Sequence, residues 1–78
     1  MINIKNVKLI KTFGERLREL RISERLSQEE LANLADIPIS QVGRIERGEN
    51  NPTLSTIGAL AAALKVSINS FFESKDQN

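Results

Sequence analysis

Apolar side chains recur at three- and four-residue intervals along most of this chain. Phe13, Leu17 and Leu20 form one such series, and Leu31, Leu34 and Ala35 a second. Val42 and Ile45 form a third, and Leu54, Ile57, Leu60, Ala61 and Leu64 a fourth. This spacing places side chains on one side of an α-helix and predicts amphipathic helices packed round a shared core. Ile22 lies off the first stripe. Cap signals precede the stripes. Thr12 with Glu15, and Ser27 with Glu30, have the spacing of a capping box. Thr53 and Ser67 can cap two further helices. The first helix is expected to run from Phe13 to about Arg25, and the last, short one from Ile68 to about Glu73.

Residues 27–47 organise the rest. They read as two short helices joined by a tight turn at Asp36-Ile37-Pro38, where the apolar pattern breaks. Pro38 biases Ile37 away from the α region, so one helix cannot continue through this point. In the second of these helices Val42 and Ile45 face inward. Ile39, Ser40, Gln41 and Arg44 are left on the other side, free to touch something else. Gly48-Glu49-Asn50-Asn51-Pro52 is a loop, with Gly48 suited to a left-handed C-cap. Small Gly58, Ala59, Ala62 and Ala63 make the fourth helix thin. In residues 1–11, Ile2 and Ile4 alternate as in a strand, while Val7 and Ile10 have helical spacing. This segment is an N-terminal arm, extra turns on the first helix, or an edge strand. Residues 12–73 form the domain and residues 74–78 a polar tail.

The length of 78 residues allows one small domain, whose core is marginal alone and has no cysteine to staple it. Histidine, cysteine, tyrosine and tryptophan are all missing from the sequence. The usual general base, thiol nucleophile and zinc ligands are therefore lacking, and no catalytic residue, metal or cofactor is expected. Net charge is only +1, but it is unevenly spread. In residues 1–25, Lys5, Lys8, Lys11, Arg16, Arg18, Arg21 and Arg25 outnumber Glu15, Glu19 and Glu24. In residues 26–50 only Arg44 and Arg47 face Glu29, Glu30, Asp36, Glu46 and Glu49. Glu15, Arg16, Arg18 and Glu19 are read as mostly solvated. The apolar run at 57–64 is too short to span a bilayer, so a cytoplasmic protein with no membrane partner is expected.

Residues 27–47 resemble a DNA-binding helix-turn-helix of the lambda repressor/Cro-like (XRE) family. Small Ala32 sits where the two helices approach, and Leu31, Ile37, Val42 and Ile45 fall at the buried positions. Arg44-Ile45-Glu46-Arg47-Gly48 matches the usual exit from the second helix. The resemblance covers residues 13–72. Asp36 departs from a common glycine, and Pro38 from the usual Ser/Thr cap. The resemblance implies an all-α, five-helix domain with the helix-turn-helix at helices 2 and 3. It also implies a sequence-specific transcriptional regulator of double-stranded DNA. Small members include phage repressors and controller proteins of restriction–modification systems.

Several residue roles follow from that resemblance. Arg21 and Glu46 match a partly buried ion pair tying the first helix to the recognition helix. Ile39, Ser40, Gln41 and Arg44 become candidate base contacts, since a recognition helix enters the major groove with its N-terminal turn. Gln28, Arg47, Asn50 and Asn51 become candidate phosphate contacts; free amides and the helix dipole at Gln28 favour an anion. Phe71 and Phe72 cannot both point into one core. With Ile68, they are the candidate interface of a homodimer acting on a two-half-site operator, and RNA polymerase is a further candidate partner. The competing reading is a protein-interaction module, antitoxin-like or scaffold, that keeps the fold without sequence-specific DNA binding. Pro38, Gly43 and the low charge are its support.

Overall fold

The computed structural model describes residues 5–73. Among them, four α-helices are followed by a 3-10 helix: α1 (Val7–Ser23), α2 (Gln28–Ala35), α3 (Ile39–Glu46), α4 (Leu54–Leu64) and the 3-10 helix Ile68–Phe72. The all-α architecture is as expected. The fifth element is a five-residue 3-10 helix rather than an α-helix.

Local chemistry sets most boundaries. At α2, Ser27 Oγ accepts from the Glu30 amide at 3.0 Å and Glu30 Oε1 accepts from the Ser27 amide at 2.8 Å. The capping box is therefore complete. Thr53 caps α4 in the same sense, accepting from the Thr56 amide. α1 departs from expectation. Its cap is Asn6, whose side chain accepts from the Leu9 amide at 2.9 Å, so Thr12 and Glu15 lie inside the helix rather than at its start. Residues 7–11 are extra helical turns, held down by buried Ile10, whereas Ile2 and Ile4, with the alternation read there, and the tail at 74–78 lie outside the described residues. The far end stops at Ser23, two residues short of Arg25, because Arg25 adopts a left-handed conformation (φ 59°).

The four α-helices end alike. Beyond each, the chain takes a left-handed residue: Arg25, Asp36, Gly48 and Lys65. The next amide reaches back to a carbonyl five residues earlier: Leu26 to Arg21, Ile37 to Ala32, Glu49 to Arg44 and Val66 to Ala61, at 2.8–3.1 Å. These are Schellman motifs, and they satisfy carbonyls that a helix end leaves without partners. Three of the four following residues, Leu26, Ile37 and Val66, pack against the core.

Leu17, Leu31, Val42, Ile45, Leu60 and Leu64 are fully buried at the centre. Each contributes about 1.5–3 kcal/mol by leaving water. α3 packs on both α1 and α2, and α2 on α4. Leu34 does not join: α2 turns Leu31, Ala32 and Ala35 inward, leaving Leu34 60% exposed at the far edge of the stripe. α1 and α3 meet at Gly14. A β-carbon there would overlap the Ile45 carbonyl oxygen and come within 2.9 Å of that of Glu46. Only a bare α-carbon admits this approach.

The 3-10 helix closes the domain against α1 and α4. Phe71 is buried with its ring 4.8 Å from that of Phe13. Arg16 Nε donates to the Ser70 carbonyl at 2.8 Å, and its Nη2 lies 3.7 Å from Glu73. Arg16 is thus part-buried and committed, not one of the solvated charges its position suggested.

Candidate nucleic-acid interface

α3 is held from behind and open in front. Val42 and Ile45 are fully buried. Ile39, Ser40 and Arg44 are exposed on the other side, with Gln41 half-buried beside them. Ile39 keeps half its surface in water. Pro38 stands at the N-cap with φ −63° and supplies no side-chain hydrogen bond. Its ring nevertheless fixes the backbone for entry to the helix. Asp36 takes the left-handed position of the turn at φ 59°, ψ 47°, a conformation Asp tolerates better than most side chains.

A polar network locks α3 to both neighbours. Arg21 Nε donates to Glu46 Oε2 at 2.6 Å and its Nη2 to Oε1 at 3.2 Å, a fork on one carboxylate. Arg21 Nη1 donates to the Leu26 carbonyl at 2.8 Å. Glu46 is almost completely buried. Such a pair gives little net stability, since desolvation offsets attraction, but it fixes register. Gln28 joins it, Nε2 donating to Glu46 Oε1 at 3.0 Å. One of its two amide hydrogens is therefore engaged within the protein. Its Oε1 lies 3.7 Å from where a Gly43 β-carbon would sit, and Arg47 Nη1 3.0 Å from that point. Gly43 is thus a notch on α3 over which the Gln28 and Arg47 side chains lie.

Arg47, at the C-cap of α3, is exposed and pairs with Glu49: Nε–Oε2 3.0 Å and Nη2–Oε1 3.2 Å. The hydrogen bond to Glu49, with its charge, raises the Arg47 pKa. The same bond holds the Glu49 carboxyl below its ordinary range, with attraction from Arg47 and Arg44 adding to it. Asn51 is exposed and Asn50 half-buried in the loop beyond. On the 3-10 helix Phe72 and Ile68 are 51% and 41% exposed. Phe71 is not available to a partner; it is buried in the core, 1% exposed, with its ring against Phe13. Among the described residues no group of His, Cys, Asp and Glu side chains could hold a metal, and no helix is long and apolar enough to cross a membrane.

Three residues of this arrangement have no role in the sequence reading. Gly14 lies on the buried stripe of α1, four residues after Ile10 and three before Leu17. A glycine inside a helix costs about 1 kcal/mol against alanine, which points to a packing reason. Arg16 gives no such signal, since its acceptor is a backbone carbonyl 54 residues away. Glu49 follows Arg47 at i+2, and only the left-handed Gly48 turn folds its carboxylate back.

The model of the helix-turn-helix family matches residues 17–71. The chain belongs to that family. The match begins inside α1, leaving the first ten residues of that helix outside it. The control protein C.SmaI of Serratia marcescens is 43% identical over 55 residues, which is 70% of this chain and 66% of that protein. The immunity repressor of Bacillus phage phi105 is 39% identical over 57 residues, 73% of this chain and 40% of the repressor. The chain thus spans less than two thirds of the length of either. The restriction–modification controller protein C.AhdI from Aeromonas hydrophila has a closely similar structure. It gives a TM-score of 0.80 at 45% identity, covering 86% of this chain and all of C.AhdI.

Proposed function

We propose that the protein is a transcriptional regulator that binds double-stranded DNA in a sequence-specific way, with α3 lying in the major groove. The observation carrying this reading is the division of α3: Val42, Ile45 and Glu46 are locked to α1 and α2, while Ile39, Ser40, Gln41 and Arg44 present free side chains from one rigid surface. Relatives named as a control protein and an immunity repressor support it. The roles of each side chain follow from groove chemistry. Ile39 offers methyl groups to a thymine methyl, Gln41 an amide to the adenine edge, and Ser40 a hydroxyl to a base or phosphate. Arg44, one turn further, can fork onto guanine O6 and N7. Gln28 retains one amide hydrogen for a phosphate at the start of α2, and Arg47, Asn50 and Asn51 flank the other end of the surface. Two copies acting on two half-sites, in the cytoplasm, complete the proposal.

The test is binding of the full chain to duplex DNA over a range of salt, followed by selection of preferred sequences. A regulator shows a steep loss of affinity with salt. A flat slope would favour the protein-interaction reading. Arg44→Ala should remove roughly 1–3 kcal/mol of discrimination at one guanine. A uniform loss across an operator panel would move Arg44 to the backbone. Gln28→Ala should weaken all sequences alike; a changed base preference would contradict the phosphate role.

A further inference from the structure

We propose that Glu49 is a built-in brake on DNA affinity: its carboxylate occupies the Arg47 guanidinium and competes there with the phosphate backbone. The inference rests on the reading above, in which Arg47 meets a phosphate. The geometry is a fork, Arg47 Nε and Nη2 donating to the two Glu49 oxygens at 3.0 and 3.2 Å. A phosphate recognised by arginine uses the same paired N–H geometry. Glu49 therefore holds one such edge already, and the edge bearing Nη1 lies back over Gly43.

Glu49 is not placed there by chance rotation of a loose loop. Its amide donates to the Arg44 carbonyl at 2.8 Å across the left-handed Gly48, so its backbone is part of the α3 cap. That cap brings one carboxylate close to Arg47 and within electrostatic reach of Arg44. These are the cations proposed for the DNA-facing side of α3. Glu49 is ionised at neutral pH as any exposed carboxylate is.

The pair could instead help binding by pre-orienting Arg47, and geometry decides between the two. Arg47 and Glu49 are both more than half exposed. Exposed pairs hold their partners by a factor of about five at most. Against this, a like charge held about 5 Å from a phosphate costs about fourfold even at the dielectric of water, and more where water is displaced. Displacing the carboxylate from Arg47 adds to that cost. The phosphate needs the edge that the carboxylate holds, so pre-orientation brings no gain there and both costs oppose binding.

The experiment compares the parent, Glu49→Gln, Arg47→Gln and the double variant on a short duplex of random sequence and on the selected operator, across a salt series. Glu49→Gln should tighten binding to both duplexes by roughly five- to twentyfold, the repulsion multiplied by the displaced pair. It should also steepen the salt slope by up to about 0.9, the share of one phosphate contact. A merely structural role would not move that slope. In the Arg47→Gln background only the repulsion remains, so the same substitution should tighten binding by about fourfold at most, clearly less than in the parent. Unchanged or weaker binding by Glu49→Gln overturns the brake. Equal tightening with and without Arg47 overturns the competition for Arg47, leaving plain repulsion. If Arg47→Gln alone leaves affinity intact while the parent binds DNA, the phosphate role of Arg47 fails and the brake with it. Absence of duplex binding by the parent would reject the regulator reading itself.

Discussion

At the scale of single residues, two glycines in helices should respond oppositely to the same added methyl group. At Gly14 it meets two backbone carbonyls of α3, which cannot rotate away. α1 and α3 would have to separate, loosening the register that Arg21, Glu46 and Gln28 share. Overpacking of this kind costs about 1–3 kcal/mol, more than the helix propensity gained. At Gly58 the added methyl meets nothing within 4 Å. Gly58→Ala should therefore add about 0.8–1.0 kcal/mol from propensity alone. Urea denaturation of both variants checks the pair. A neutral Gly14→Ala would mean that the α1–α3 contact gives way more easily than its backbone geometry implies. Gly43 is intermediate, for the atom it would meet is the movable tip of Arg47, 3.0 Å away.

The helices themselves are specified at their ends as much as along their faces. Arg25, Asp36 and Lys65 occupy left-handed positions that favour glycine. An ordinary side chain there costs about 1–2 kcal/mol, and Asp less than most. Lys65→Gly should thus stabilise the fold by about 0.5–1 kcal/mol after the extra chain entropy of glycine is subtracted, and Asp36→Gly by less. The reverse order in thermal melts would sink this account. The same ends show which parts of the architecture were legible beforehand. Ser27 and Glu30 announce α2 because the reciprocal bonds need only residues three apart. Val42 and Ile45 announce the buried side of α3 because helical spacing alone decides it. The start of α1 was not decidable locally, since Thr12 with Glu15 is as good a box as Asn6 is a cap. Burial of Ile10 against the rest of the domain selects Asn6. Leu34 is the converse case: spacing admits it to the stripe, but the angle at which α2 meets its neighbours leaves it in water. The exposed residues of α3 could be placed from the pattern, whereas the Glu49 fork depends on a turn geometry that spacing does not contain.

For the whole molecule, the remaining question is what covers the exposed ends of the 3-10 helix. Phe72 rests on Phe13, with centroids 5.8 Å apart, and lines a small pocket with Leu9, Ile10, Pro52 and Ile57; it is half exposed, as is Ile68. The dimer proposed above would use this patch, since an exposed apolar surface is a candidate contact for a second copy. The two adjacent phenylalanines then separate stability from assembly. Phe71→Ala removes a buried ring and should cost about 3–5 kcal/mol, a large share of what holds a domain together. Its self-association would report unfolding rather than an interface. Phe72→Ala should keep the helical content and lower the melting temperature far less than Phe71→Ala, while weakening the proposed dimer, measured by sedimentation. Arg16→Met offers an independent route. It removes the donor to the Ser70 carbonyl and the neighbour of Glu73, so the 3-10 helix loosens without a hole in the core. It should weaken the dimer in the same direction as Phe72→Ala. Both variants should also lose affinity for an operator with two half-sites much more than for a single half-site, because the second recognition helix is delivered only by the partner copy. If Phe72→Ala and Ile68→Ala proteins both associate as the parent does, the dimer is built on another face, and the affinity for two half-sites should then be untouched as well.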